Sequence, residues 1–183
     1  MKKKLLLFAT LFVFTAATYA QQGDLYVGAQ GGYITDYKDF LFGAKVGYRL
    51  TNPLEVNFSF LMNPEIKLKD DAYPNNNSKI KMYVYDVNLC YYIIQNNMWD
   101  MGPAFGLEYG IVDNHFYNIA VPFTENANYR AFNIGWQIKC NITDNLKLSG
   151  SWKYSTGKDV DSESVNRHTF CLGIGYTFNV INK

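Results

Sequence analysis

The stretch that decides the fold is residues 167–178, near the end of the chain, which read R-H-T-F-C-L-G-I-G-Y-T-F. Apolar and aromatic side chains fill one set of alternate positions, namely Phe170, Leu172, Ile174, Tyr176 and Phe178. Small or polar side chains fill the other set, namely Thr169, Cys171, Gly173, Gly175 and Thr177. Strict alternation of this kind predicts a β-strand with two different faces. A membrane barrel turns its apolar face toward lipid and encloses the small, polar one.

The first 20 residues predict a cleaved export signal rather than a part of the fold. Residues 2–4 are lysines, residues 5–14 are apolar, and residues 18–20 (T-Y-A) have the small residues of a cleavage site. We expect cleavage after Ala20, so that residues 21–183 form one mature domain. Loss of three lysines leaves 14 basic against 16 acidic residues, which changes the formal charge from +1 to about −2. This charge argues against nucleic-acid binding, which needs a basic patch.

Seven further segments alternate in the same way, so the sequence predicts eight strands. With the last one they cover residues 25–34, 40–50, 54–62, 81–94, 101–111, 129–142, 146–154 and 167–178. No apolar run after residue 20 approaches the length of a transmembrane helix, so a mature chain in a membrane must form a closed barrel. We therefore predict an all-β fold, an eight-stranded antiparallel up-and-down transmembrane β-barrel.

The connections between the predicted strands alternate in length. Those after the second, fourth and sixth strands are short, whereas those after the third, fifth and seventh are longer and polar. The longer ones cover residues 63–79, 112–128 and 156–166. Outer-membrane barrels have short periplasmic turns and longer extracellular loops. We therefore expect both termini to be periplasmic and the long loops to be extracellular.

The charged residues of the predicted strands share the face that also carries Gly, Asn and Ser. This set consists of Lys45, Arg49, Glu55, Asp86, Glu108, Lys139, Lys147 and Lys153. A Lys or Arg facing lipid at mid-membrane costs about 2–4 kcal/mol, and this cost falls toward zero near the interfaces. Lys81, Arg130 and His168 are exceptions that lie at strand ends. The pattern predicts a charge network enclosed in the lumen, with acids paired to bases because an unpaired buried charge is costly.

A soluble antiparallel barrel or sandwich would show the same two-residue period, with the aromatic face as its core. Three features favour the membrane barrel: the export signal, the alternating loop lengths, and the glycines concentrated on the polar face. Glycines suit a narrow lumen better than a solvated surface.

The chain resembles the small OmpA/OmpX-type outer-membrane β-barrel family over nearly all of its mature length. In that family a C-terminal assembly signal with a Gly and two spaced aromatic residues is read by the barrel-insertion machinery. Gly173, Tyr176 and Phe178 match that spacing, although five residues follow Phe178 here. The resemblance implies an outer-membrane location, lipid and lipopolysaccharide neighbours, the barrel-assembly machinery as a partner, and a monomer.

The leading functional hypothesis is a non-enzymatic barrel with a structural, adhesive or surface-protective role. An eight-stranded barrel has an interior just wide enough to be filled by side chains. A plugged lumen is therefore expected, and a gate or narrow pore is the first alternative. The second is a conduit for a small apolar ligand, lined by the inward Tyr26, Met82, Val84 and Tyr92. Packing of the plug accounts for those four side chains equally well.

An outer-membrane enzyme that modifies lipids or peptides is a further alternative. The candidate catalytic residues for such an enzyme are polar residues near the last predicted strand, namely Asp159, Asp161, Ser162, Glu163, Ser164 and His168. Lipid A deacylases of this size use a His-x-Ser arrangement, whereas Thr169 and Phe170 follow His168 here. Asp113 and His115, with residues 70–71, resemble the outer-membrane aspartate–histidine proteases, which need about ten strands. We predict no catalytic residues and no cofactor.

The sequence predicts no metal site within the strands. Cys90, Cys140 and Cys171 lie alone in separate strands, without CxxC spacing, and we interpret them as small fillers. By parity, Cys90 and Cys171 face the lumen and Cys140 faces lipid. The acidic loop residues either bind divalent cations beside lipopolysaccharide or are simply solvated. They are Asp36, Asp39, Asp70, Asp71, Asp159, Asp161 and Glu163.

Overall fold

A computed structural model describes residues 23–35, 39–69, 77–116, 123–160 and 163–179. Their strands are β1 (Asp24–Ile34), β2 (Asp39–Arg49), β3 (Leu54–Lys69), β4 (Asn77–Tyr91), β5 (Ile94–Gln95), β6 (Trp99–Phe116), β7 (Phe123–Asn141), β8 (Leu146–Asp159) and β9 (Ser164–Asn179). No helix among these residues is long and apolar enough to cross a membrane. The predicted export signal lies outside the described residues, so the boundary at residue 20 stays a prediction.

The eight long strands form one closed antiparallel barrel, as the sequence predicts. Each long strand pairs with its neighbours along the chain, and β4 pairs directly with β6. Closure occurs between the first and last strands, from Asp24 opposite Asn179 to Ile34 opposite Thr169. Closure leaves no long strand with an unpaired edge along the barrel wall, which is what a spanning sheet requires.

The two ends of the barrel differ. The turn end, as we call it, carries Asp24, Asn179 and the tight connections near residues 50–53, 92–98 and 142–145. Side chains cap these connections: Asn96 Oδ1 accepts hydrogen bonds from the backbone N–H groups of Met98 (2.9 Å) and Trp99 (2.7 Å). The hairpin end is the opposite end, toward which β3–β4, β6–β7 and β8–β9 run on as paired strands.

The predicted faces are confirmed along all eight strands. The large apolar side chains of the outward positions are exposed, with Leu172 at 77% and Phe132 at 71%. The inward positions are buried, including Glu55, Asp86 and Lys139. The apolar surface therefore lies outside and the charged surface inside, which is the arrangement of a membrane barrel.

The prediction that residues 63–79, 112–128 and 156–166 are loops is wrong for much of their length. β3 continues to Lys69, and β6 and β7 stay paired as far as Phe116 opposite Phe123. Backbone hydrogen bonds hold an antiparallel ladder together without an apolar face, so a polar sequence continues the strand beyond the apolar band. The 11 residues of β1 and β2 match the 9–11 that cross a bilayer, and the longer strands project past that length.

The predicted short turn at residues 95–100 also contains regular structure. Ile94 and Gln95 form β5, which pairs with Met101 and Asp100 at the start of β6. The β4–β6 ladder ends at Ala104, so Pro103 lies in the gap between the two ladders. Proline has no backbone N–H to donate and therefore suits this gap in the ladder.

Candidate functional site

The candidate site is the enclosed face of the barrel, where alternation brings all eight predicted network charges to the lumen. Seven of them are buried, and Arg49 is partly buried near the turn end. The seven are Lys45, Glu55, Asp86, Glu108, Lys139, Lys147 and Lys153. Each comes from a strand whose opposite face is apolar, so the two-residue period alone directs it inward.

The turn-end cluster consists of Arg49, Glu55, Asp100 and Lys139. Lys139 Nζ donates to both carboxylate oxygens of Glu55, at 2.6 and 2.7 Å. Arg49 Nη2 lies 2.6 Å from Asp100 Oδ2 and 3.9 Å from Glu55 Oε2. Two cations and two carboxylates therefore neutralise one another here, and short charge-assisted contacts offset part of their desolvation.

Two tyrosines pack against the cations of the turn-end cluster. Lys139 Nζ lies 4.3 Å from the ring centroid of Tyr26, and Arg49 Cζ lies 5.0 Å from that of Tyr92. The Tyr92 hydroxyl accepts a hydrogen bond from Gln137 Nε2 at 2.8 Å. The Tyr26 and Ser149 hydroxyls are 3.2 Å apart. These rings occupy the lumen beside the ion pairs, and cation–π contact adds to the stabilisation of the charges.

The central cluster is held by Gln137 rather than by a carboxylate. Gln137 Oε1 accepts from Lys45 Nζ at 2.7 Å and from Asn57 Nδ2 at 3.2 Å. Cys90 Sγ donates to the same oxygen at 3.3 Å and accepts from Asn57 Nδ2 at 3.0 Å. One amide oxygen therefore connects β7 with β2, β3 and β4 across the lumen.

The Asp86 cluster lies farther toward the hairpin end. Lys153 Nζ is 2.5 Å from Asp86 Oδ2, and Ser59 donates its hydroxyl to the same oxygen at 2.6 Å. Asn88 Nδ2 donates to the other oxygen, Oδ1. This carboxylate accepts hydrogen bonds from β3, β4 and β8 at once, so it ties opposite sides of the barrel together.

The Glu108 cluster follows, with Arg167 as its main cation. Arg167 Nη2 donates to Glu108 Oε1, which also accepts from the Tyr129 hydroxyl at 3.1 Å. Ser155 donates to Glu108 Oε2 at 2.9 Å, and Lys153 Nζ lies 4.0 Å from it. The guanidinium of Arg167 stacks over the Tyr129 ring at 4.0 Å. Lys153 therefore links this cluster to the Asp86 cluster.

An apolar layer covers the Glu108 cluster at the hairpin end. Its buried members are Ile34, Leu41, Leu61, Met82, Val84, Val112, Tyr129, Ala131 and Cys171. Met82 and Val84 belong to this layer, whereas Tyr26 and Tyr92 lie in the turn-end region with the ion pairs. The four side chains that the sequence suggested as one apolar slot are therefore divided between two parts of the lumen.

Two predicted network members lack the expected carboxylate partner. Lys45 donates to Gln137, and Lys147 forms no ion pair among the described residues. The expectation that acids and bases pair throughout therefore does not hold for these two lysines, because Asp86, Glu108, Glu55 and Asp100 are satisfied by other cations. Lys147 is paired with Asn141 of β7 and Gly175 of β9 in the strand register, near the turn end.

Sequence reasoning missed two members of the network, Asp100 and Arg167. Asp100 lies one residue before its predicted strand, whereas Arg167 is the first residue of its predicted strand. Extending the alternation from Gly102 back to Asp100, and from Thr169 back to Arg167, places both side chains inward. The signal was present in the parity: the predicted start at residue 101 left Asp100 out, and Arg167 was not counted among the inward charges of its own strand.

His168 lies on the outer face, where its ring contacts two aromatic side chains of β8. Its ring stacks on Trp152 with centroids 5.9 Å apart, and Trp152 Nε1 donates to its Nδ1 at 3.3 Å. Tyr154 packs against the ring at 5.0 Å. Asp159 caps the β8–β9 turn by accepting from the backbone N–H of Glu163 at 2.7 Å. Residues 161–162 and 70–71 lie outside the described part of the chain.

Gly173, Tyr176 and Phe178 lie on β9 as the alternation predicts. Gly173 faces inward beside Gln30 and Ser149, and the rings of Tyr176 and Phe178 meet on the outer face with centroids 4.8 Å apart. β9 ends at Asn179, and the residues after it lie outside the described part. Use of this segment as an assembly signal stays a prediction.

The cysteines take the predicted faces. Cys90 and Cys171 are buried in the lumen, Cys140 is partly exposed, and all three are free thiols. Within the described ranges no group of three or more His, Cys, Asp or Glu residues is placed to hold a metal ion. Of the acidic loop residues, Asp36, Asp70, Asp71 and Asp161 lie outside those ranges.

The closed eight-stranded barrel, with its apolar exterior and charged lumen, defines an outer-membrane β-barrel protein. A family model described as "outer membrane protein beta-barrel domain" matches residues 6–178. The chain therefore belongs to that family, which confirms the resemblance to small OmpA/OmpX-type barrels. A comparison with curated protein sequences gave no significant match.

Solved structures of outer-membrane barrels are similar to this fold. The N-terminal barrel domain of OprF from Pseudomonas aeruginosa has a TM-score of 0.62 at 18% identity, with 86% of this chain and 98% of that chain covered. OprG from the same organism has a TM-score of 0.61 at 12% identity, covering 87% and 97%. Ail, the attachment invasion locus protein of Yersinia pestis, has a TM-score of 0.56 at 19% identity, covering 86% and 100%. At these identities the similarity concerns the fold.

Proposed function

We propose that this protein is a non-enzymatic outer-membrane barrel with a closed lumen, whose role is structural, adhesive or surface-protective. The observation that supports the proposal is the series of side-chain clusters along the lumen. Ion pairs and amide hydrogen bonds extend from Arg49 at the turn end to Arg167, and the apolar layer lies beyond them. Solvated ions passing through would have to break several of these contacts in turn, since Gln137 connects the turn-end and central clusters and Lys153 connects the Asp86 and Glu108 clusters.

The orientation follows from the general architecture of this class. Short turns face the periplasm and longer connections face outward, so the hairpin end is extracellular and both termini are periplasmic. Val160 is 69% exposed at the hairpin end, and Asp144 is exposed at the turn end. Single cysteines at these two sites, in a chain without its native cysteines, make a matched pair. A membrane-impermeant maleimide added to intact cells is expected to label Val160→Cys and not Asp144→Cys. The reverse pattern would contradict the orientation.

The closed lumen is tested by conductance in planar lipid bilayers. The purified protein is expected to show no steady ion-sized openings at neutral pH. The double variant Glu108→Ala and Arg167→Ala loses the contacts beneath the apolar layer. It serves as the control that shows how the measurement responds to a wider lumen. Steady openings from the unaltered protein would establish the narrow-pore alternative and end the proposal of a plug.

Surface presentation is the part of the proposal that concerns biological role. The paired strands of β6 and β7 continue well past the ends of β1 and β2, so the hairpin end offers ordered backbone outside the membrane band. Ail, which has a similar fold, is named the attachment invasion locus protein. Cells that express the full chain are compared with cells that express a variant whose β6–β7 hairpin is shortened to Asp113 opposite Asn126. If cells with the shortened variant adhere less or survive less in serum, the hairpin carries an adhesive or protective role. If adherence and serum survival are unchanged, the role of the protein is structural.

A further inference from the structure

Two unpaired cations lie side by side on the outer face of β7 and β8. Arg130 is directly opposite Lys158 in the strand register, and both side chains are exposed. Neither has an ion pair or hydrogen bond with the described residues. Lys81 is a different case, because the residue opposite it on β6 is an acid, Asp113. The Arg130–Lys158 pair is thus a site of local positive charge at the edge of the apolar outer face.

Two hollows meet beneath this cation pair. A polar hollow of about 380 Å³ contains both cations together with Tyr109, Asn128, Asp159 and Val160. An apolar hollow of about 460 Å³ extends from the same Tyr109 and Arg130 toward the middle of the barrel. Its outward lining comes from Tyr85, Val87, Leu107 and Phe132. The combined surface therefore changes from cationic to hydrocarbon-like over a short distance.

The position of Arg130 along the barrel matches the depth of lipid headgroups. The outward apolar side chains of β7 run from Phe132 to Cys140, and Ile142 follows directly after the strand. At about 3.4 Å per residue and a tilt of about 40°, the ten residue steps from Phe132 to Ile142 span about 25 Å, the height of the apolar band of such barrels. Arg130 is the next outward residue and lies just beyond that band. Tyr109, opposite Arg130 in the register, has the amphipathic ring that is typical of the interface.

We propose that this surface binds a phosphorylated glycolipid of the outer leaflet, of the lipid A class. A guanidinium matches the geometry of a phosphate through two parallel hydrogen bonds, and a neighbouring ammonium adds a point charge. The phosphate lies between Arg130 and Lys158, and an acyl chain fills the hollow beside Val87 and Phe132. Asp159 also borders the polar hollow, but it lies opposite the buried Tyr129 on the other parity of β8 and forms no ion pair with either cation; its carboxylate accepts from the backbone N–H of Glu163. The assignment to the outer leaflet rests on the orientation proposed above.

The test uses the folded mature chain in detergent micelles and native mass spectrometry. Purified bisphosphorylated lipid A, dephosphorylated lipid A and phosphatidylglycerol are titrated separately. Lipid A is expected to bind the unaltered protein. Arg130→Gln and Lys158→Gln are each expected to lower the affinity for lipid A about fivefold, and the double variant about 25-fold. Dephosphorylated lipid A should bind the unaltered protein about as weakly as lipid A binds the double variant. Val87→Trp fills the apolar hollow and is expected to weaken the binding of lipid A, although both cations remain.

Lys81→Gln is the matched control, because it removes a lysine at the same end of the barrel outside the two hollows. It is expected to leave lipid A binding unchanged. Equal binding of lipid A by the double variant and the unaltered protein would overturn the site, and so would a matching loss in Lys81→Gln. Equal affinity for phosphatidylglycerol would overturn the glycolipid assignment. Folding of each variant is verified by its migration in an unheated gel, so a failure here is separate from the labelling and conductance tests above.

Discussion

Glu108 is the residue on which the hairpin-end half of the lumen depends. Its two oxygens accept from Arg167, Tyr129 and Ser155, and its side chain is almost completely buried. Arg167 is 1% exposed, so neither partner has water as an alternative. Removing one member of such a pair leaves an uncompensated buried charge, which is far more destabilising than replacing both members.

Arg167→Met is therefore expected to lower the free energy of unfolding by about 3 kcal/mol, with Lys153 at 4.0 Å from Glu108 limiting the loss. The measurement is urea unfolding of the barrel in lipid vesicles. Adding Glu108→Gln to Arg167→Met removes the orphan charge and should recover part of the stability. Arg130→Met, on the exposed face, should change stability by less than about 0.5 kcal/mol. Equal effects of the two arginine substitutions would contradict the buried ion pair.

Gly110 makes room for a lumen ring. The nearest atoms to a Cβ at this position would be Cε1, Cζ and Oη of Tyr129, all within clashing distance. The same ring supports Arg167 and donates to Glu108. Glycine at this position is thus required by the close approach of a side chain, and a larger residue would displace the Glu108 cluster.

Gly110→Ala is expected to destabilise the barrel by about 1–3 kcal/mol, as overpacking of a filled interior does. In a Tyr129→Ala background the same substitution should have almost no effect, because the clashing atoms are gone. Gly31→Ala is the control, since the atom nearest to its Cβ would be 3.8 Å away. A double-mutant cycle in urea measures the coupling, and additive effects would show that the ring does not occupy this space.

At the scale of the strand, β9 shows how one element meets two environments. Thr169 and Cys171 are buried in the lumen, whereas Phe170 and Leu172 project outward. His168 is the last outward residue before the polar part of the strand and packs between Trp152 and Tyr154. The outward face therefore passes from hydrocarbon depth at Leu172 to interfacial depth at His168 within four residues.

Leu172→Arg is expected to lower the free energy of unfolding in vesicles by about 2–4 kcal/mol, because the side chain at this position faces hydrocarbon. His168→Arg, four residues away on the same face, should cost at most about 1 kcal/mol beyond the loss of its ring contacts. Urea unfolding in vesicles measures both. If Leu172→Arg were as harmless as a charge on a water-exposed surface, the outer face would not be in lipid.

The long hairpins show where a strand prediction based on alternation ends too early. Residues 66–69 and 77–80 pair in order, although a register shift between Asn63 and Ile66 separates them from the barrel ladder. Pro64 lies within that shift, where a missing N–H is tolerated. Alternation reports which face meets lipid, so it fades where both faces leave the membrane, while backbone pairing continues.

The molecule as a whole reverses the usual arrangement of apolar and charged surface. Large apolar side chains such as Phe132, Ile134 and Leu172 cover the exterior, and the charges of the lumen clusters are enclosed. A surface of this kind is stable only when hydrocarbon or detergent covers it. The many backbone pairings of the closed sheet also keep such barrels folded in mild detergent.

The mature chain is therefore expected to require detergent for solubility and to migrate differently in a gel before and after heating. The unheated barrel should run ahead of the heated chain, because it stays compact in detergent. Export without detergent to a soluble, monodisperse protein, with unchanged migration on heating, would contradict the membrane barrel. Arg167→Met should lower the temperature at which the compact band disappears, which connects this measurement to the lumen contacts.

The amino-acid sequence by itself determined the eight strands, their two faces and the enclosure of Lys45, Glu55 and Asp86. This was possible because the two-residue period of a strand assigns each side chain to a face without reference to its neighbours. The tertiary structure alone decided the partners. Lys139 meets Glu55, 84 residues away, and Lys45 meets the amide of Gln137 rather than a carboxylate. Contacts across a lumen depend on the stagger between strands and on side-chain reach, and neither is encoded in the alternation of a single strand.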